Sequence, residues 1–148
     1  MDQFISSFSK MIKTIYSDED STMTIGNAIG EFSSKSTSIT VSDDNDGRVI
    51  TQVNFEGMAD GYGVITSTMA FYGSEPGADR GHVSYAGQAF PPEGRFVTGT
   101  GEGVFEESGT HEWRVRLTIH VSDGKLLLSD GIVKLKDRSY TGKIYEWE

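Results

Sequence analysis

The sequence of 148 residues contains no cysteine. Disulfides, thiolate metal ligands and a cysteine nucleophile are excluded together, while the redox compartment stays open. Cations are scarce: 13 Lys and Arg stand against 22 Asp and Glu, for a net charge of −9. A surface that tracks phosphates needs clustered basic side chains. A nucleic-acid partner is therefore not expected, and an anionic membrane is disfavoured on the same ground. No apolar run approaches the length of a membrane span, and Met1-Asp2-Gln3-Phe4 lacks the basic start of a signal peptide. The expectation is a cytoplasmic protein without a membrane partner.

Histidine is also sparse. His82, His111 and His120 do not stand at ligand spacings such as i, i+2 on a strand or i, i+4 on a helix, so no metal site is expected. The run Asp43-Asp44-Asn45-Asp46-Gly47 has calcium-loop residues but lacks the distant Glu and the two helices of an EF-hand; it reads as a hairpin turn. Ser108-Gly109-Thr110-His111 places a hydroxyl near an imidazole, yet no strand-to-helix elbow presents it as a nucleophile. No cofactor is implied.

What is present is a change of period. Phe4, Ile5, Phe8, Met11, Ile12, Ile15 and Tyr16 recur at helical steps, which predicts one amphipathic helix over about residues 3–16. From Met23 onward the alternation is every second residue. Strands are predicted between about residues 22 and 147, the first clear alternation being Ser38 to Val41, with an interruption at Gly131 and turns such as Asp60-Gly61-Tyr62-Gly63, Pro91-Pro92-Glu93-Gly94 and Asp123-Gly124. The connections are too short for parallel crossovers. About eight or nine strands with regular turn signals predict an all-β antiparallel β-barrel of about eight strands, with residues 1–148 as a single domain.

The strand with the clearest register runs from Glu112 to Ser122. Trp113, Val115, Leu117, Ile119 and Val121 share one face, and Arg114, Arg116, Thr118 and His120 the other. Glu102, Glu106 and Glu112 with Arg114 and Arg116 read as outward pairing across strands, worth little pair by pair. The stretch Val97-Thr98-Gly99-Thr100-Gly101-Glu102-Gly103-Val104-Phe105 leaves one side of its strand bare. A phosphate loop would have to open a helix, which this run does not. Glycine at such positions marks tight curvature, a bulge or close approach by another group. Val97 and Phe105 on the bare side turn it inward. Two readings follow: a core filled by large side chains, or a cavity lined by Met69, Phe71, Tyr85 and Trp113.

Phe71-Tyr72-Gly73, then Gly81-His82-Val83-Ser84-Tyr85-Ala86-Gly87, then Val97 to Glu106 follow an order that resembles the central region of the allene oxide cyclase-like barrels. That family has an aromatic strand ending in Gly, a G-h-h-x-x-x-G strand and a V-T-G-x-x-G-x-F-E strand. The likeness spans roughly residues 63–107. It implies an eight-stranded barrel with an apolar central cavity, frequent homo-oligomers and, in some members, cyclisation or isomerisation of a lipid-like substrate. None of the family's catalytic residues has a matching position here.

The leading expectation is thus a small barrel that binds an apolar small molecule and steers its cyclisation or isomerisation without a cofactor, by holding a flexible chain in its reactive shape. Met69, Phe71, Phe105 and Trp113 would form the ligand-binding walls. Tyr85, the polar-tipped residue placed inward beside the glycines, would be the catalytic anchor, since a buried phenol needs a partner. Two other classes stay open: a non-catalytic lipocalin-like carrier, and a filled-core interaction or structural protein.

Overall fold

Residues 25–147 are described by the computed structural model, and they form a closed barrel of eight antiparallel strands. The segment expected to be the helix, residues 3–16, lies outside the described residues. The strands are β1 (Ile25–Asp43), β2 (Val49–Ala59), β3 (Gly63–Gly73), β4 (Arg80–Phe90), β5 (Val97–Gly109), β6 (Glu112–Val121), β7 (Leu126–Lys134) and β8 (Ser139–Trp147). Each strand pairs with the next, and β8 returns to β1 over Lys35↔Ser139 to Ile25↔Trp147. Closure removes the free edges that an open sheet would expose. Short turns make the neighbours antiparallel; in the first, Asn45 and Gly47 adopt φ of 72° and 90°, as a tight hairpin demands.

Alternation decides which side chains face inward. Val115 and Leu117 on β6 are completely buried, as are Met69 on β3 and Val83 on β4, with Phe55 on β2 at 2% exposure. The bare face of β5 also points inward, with Gly101 between Tyr85 and Ile119, and Gly103 between Val83 and Leu117. A Cβ on Gly101 would overlap the carbonyl oxygen of Thr118, and one on Gly103 that of Arg116. The β5–β6 wall therefore coils so sharply that neighbouring backbone fills the space of a side chain. At these two positions the glycines supply curvature, not a void.

Two expectations need adjustment. Gly131 does not interrupt a strand: β7 runs through it from Leu126 to Lys134. A Cβ there would meet Phe32 Cζ at 2.7 Å and Tyr140 Cε1 at 2.9 Å, so the missing side chain makes room for two rings. The first strand is also far longer than its visible alternation at Ser38–Val41, reaching 19 residues. It carries a register shift between Ser36 and Ser38 and others near Ala28, which let one long strand bend to close the barrel.

Candidate ligand-binding cavities

Met69, Val83, Val115 and Leu117 form a solid waist, and a cavity lies towards each end of the barrel. The larger one measures about 460 Å³. Its walls include Val53 and Phe55 of β2, Phe71 of β3, Phe105 of β5, Trp113 of β6 and Val133 of β7. Phe71 and Phe105 meet edge to face, with ring centroids 5.3 Å apart at 82°, the arrangement favoured by the ring quadrupoles. Its mouth is built from the turns: Arg48 from β1–β2, Glu75 and Ala78 from β3–β4, Lys134 at the end of β7, and Arg138 from β7–β8.

Arg48 is held by its own hairpin. Its Nη2 lies 2.7 Å from Asp46 Oδ2 and its Nε 3.4 Å from Asp44 Oδ2. These bonds pull the Asp46 carboxyl far below the usual carboxylate range, chiefly through the guanidinium's hydrogen bonds. Arg138 follows Asp137, whose carboxylate accepts from the Ser139 hydroxyl; that bond lowers the Asp137 pKa.

The smaller cavity, about 80 Å³, is lined by hydroxyls: Ser34, Ser67, Tyr85, Ser129 and Tyr140 among Phe32, Ile65 and Ile144. Tyr140 is 4% exposed. Its hydroxyl lies 3.5 Å from Ser129 Oγ, and its carbonyl accepts from Ser34 Oγ at 3.0 Å. Burial pushes the Tyr140 phenol well above its ordinary pKa, partly offset by Ser129. Burial likewise raises Tyr85, with the Ser67 hydroxyl acting against it. Gly87, two residues along β4 on the same face, leaves the space that the Tyr85 phenol occupies. At the mouth, Tyr62 donates to Asp123 Oδ2 at 3.3 Å; burial, aided by that charge, pushes its pKa up to about 12.

The residues singled out from the sequence therefore separate. Phe71, Phe105 and Trp113 share the larger cavity. Tyr85 lines the smaller one, and Met69 belongs to the waist between them at 0% exposure. Tyr140, Ser34 and Ser129 went unnoticed in the sequence; the signal available was the alternation Tyr140, Gly142, Ile144 along β8. The mouth cations were missed because they come from turns remote in sequence. The pairing expected of the β5 glutamates with the β6 arginines is seen as Arg116–Glu106 at 3.4 Å, while Arg114 grips Asp130 of β7 with bonds of 3.0 and 2.7 Å. His111 and His120 are exposed, and His82 Nε2 lies 3.3 Å from Glu102 Oε2. No group of three His, Cys, Asp or Glu poised for a metal occurs among the described residues, and no helix among them is long and apolar enough to cross a membrane.

No family model, curated protein or solved structure matches the chain. What it shares with the resemblance drawn from residues 63–107 is the eight-stranded antiparallel barrel; no match supports the family assignment itself.

Proposed function

We propose that the protein binds an apolar small molecule in the larger cavity and acts as a carrier. The observation that supports this reading is a cavity of about 460 Å³ walled by Phe55, Phe71, Phe105 and Trp113, within the size range of pockets that enclose drug-sized ligands, roughly 300–1,000 Å³. Phenylalanine walls supply area for burial without hydrogen-bond demands, and Trp113 adds a large ring with a single N–H donor. The outer wall carries the Arg114–Asp130 and Arg116–Glu106 pairs on adjoining strands, which a lipid-facing wall would penalise. The ligand is therefore met in water.

Cofactor-free cyclisation or isomerisation has less to support it. Tyr85 lies across the waist from the aromatic walls, in a space of about 80 Å³, well under the roughly 300 Å³ at which substrate-sized pockets begin. The large cavity has Glu75 at its mouth as its carboxylate, and its lining is otherwise mainly hydrocarbon or aromatic, with Ser36 and Thr51 as its hydroxyl residues.

Trp113 is a built-in reporter for the test. Titration with 1-aminoanthracene, a neutral apolar dye, is expected to quench tryptophan emission, with the larger part of the quenching lost in Trp113→Phe, which leaves Trp147 outside the cavity lining as the second emitter. Thr51→Trp, which places a large side chain in the cavity, should weaken dye binding at least about tenfold, a loss near 1.4 kcal/mol, while the far-ultraviolet spectrum stays that of the barrel. Tyr85→Phe should leave dye affinity within about twofold, since a change under 0.5 kcal/mol is the norm away from a contact. Undiminished binding to Thr51→Trp would remove the larger cavity as the site.

A further inference from the structure

We propose that the ligand of the larger cavity is an amphipathic anion, an apolar chain or ring system ending in a carboxylate or a comparable single negative group. The inference rests on the carrier reading and sharpens it. Its basis is the charge at the mouth. The whole chain has 13 basic and 22 acidic residues, yet Arg48, Lys134 and Arg138 border this cavity against the single carboxylate of Glu75. The smaller cavity has no charged residue in its lining.

Arg48 is already committed to Asp44 and Asp46. Lys134 and Arg138 are exposed, and no ion pair engages either among the described residues. Glu112 stands opposite Lys134 in the β6–β7 register without closing such a pair. Asp137, beside Arg138, spends its carboxylate on Ser139. Two cations thus remain unneutralised at the lip of an apolar chamber. A ligand that buries its hydrocarbon between Phe71, Phe105 and Trp113 would leave its head at that lip. There a cation stabilises an anionic head by charge as well as by hydrogen bonding, whereas a neutral head gains at most a hydrogen bond from it. Backbone geometry also fixes the cation's place: Arg138 takes φ of 60°, and its amide and carbonyl bond Leu135 and Ser36, so the turn carrying it is anchored to β1.

The test compares dodecanoate with dodecanol, which share a chain and differ in head charge, by titration calorimetry on the full chain. The expected result is tighter binding of dodecanoate, weakened as salt rises, with dodecanol insensitive to salt. In the double variant Lys134→Gln, Arg138→Asn, dodecanoate binding should fall about five- to tenfold, the scale of two exposed charge contacts, while dodecanol binding stays within about twofold. Asparagine suits the positive φ at position 138, and the salt titration of the unaltered protein gives a second reading independent of the variant's folding. Equal affinity for both ligands, or dodecanoate binding indifferent to salt and to the double variant, would overturn the anionic head while leaving the carrier standing. Binding of neither ligand, together with no dye binding, would overturn both.

Discussion

Gly103→Ala is expected to cost the barrel about 3 kcal/mol, the upper range for forcing extra atoms into a well-filled interior, whereas Gly99→Ala should cost less than about 1 kcal/mol. Both glycines lie on the inward face of β5 and both would gain one methyl group. They differ in what that methyl meets. At Gly103 it overlaps the carbonyl oxygen of Arg116, and the Cα of Leu117 lies 2.9 Å away. Those atoms belong to the hydrogen-bonded backbone of β6, so relief requires the β5–β6 wall to open and the strands to lose pairing. At Gly99 the nearest atom is Ile119 Cγ2 at 3.0 Å, a side-chain methyl that can yield, and Gly99 borders the smaller cavity. The smaller conformational freedom of alanine in the unfolded chain also offsets part of the cost there. Urea unfolding of the two variants against the parent measures the contrast. Similar losses at both positions would mean that β5 tolerates or resists side chains as a whole, and that curvature is not concentrated at Gly101 and Gly103.

That contrast also bears on what a sequence can reveal about a barrel. The strands were legible where apolar and polar residues alternate strongly. In β6, Trp113 to Val121 fixes the inward face, and Val97 and Phe105 orient β5 despite its glycines. They were illegible where the alternation lacks contrast. Most of β1 is serine, threonine and charge, with Phe32 as its buried apolar residue and Ser34 buried beside it. A buried serine looks like surface in a sequence; here its hydroxyl is satisfied by the Tyr140 carbonyl, 106 positions away. Gly131 looked like a break because its partners, Phe32 and Tyr140, come from other strands. The same limit governs the cavities. An inward side chain can be assigned from parity, but its height along the barrel axis depends on strand stagger. Tyr85 and Phe71 both point inward, on adjoining strands, and still end on opposite sides of Met69 and Val83.

The hydroxyl-lined end carries the second large expectation, a loss of the fold in alkali. Tyr140 and Tyr85 have their phenol pKa raised mainly by burial, and Tyr62 is raised to about 12 by burial and the Asp123 carboxylate. In the unfolded chain a tyrosine ionises near about pH 10. Above that pH the unfolded chain sheds protons that the barrel still holds. The unfolded state then binds fewer protons, and unfolding free energy falls as pH rises. The stabilisation is intact below about pH 10 and drains away through the raised folded values, reaching about 12 for Tyr62. Tyr85 and Tyr140 would each steepen the decline by up to about 1.4 kcal/mol per pH unit. Tyr62, more open to water, would contribute less because solvent screens its surroundings. The barrel should therefore unfold cooperatively in alkali, with the part of the tyrosinate absorbance that Tyr140→Phe removes rising together with the loss of β-sheet circular dichroism. In Tyr140→Phe the dependence of stability on pH above about 10 should become shallower by close to one proton. Losing the Ser129 contact, at most about 1 kcal/mol, would lower stability at neutral pH without touching that slope. A parent protein in which the absorbance removed by Tyr140→Phe rises near about pH 10 with the sheet intact would show instead that water reaches the Tyr140 phenol freely, and that the smaller cavity is open to solvent.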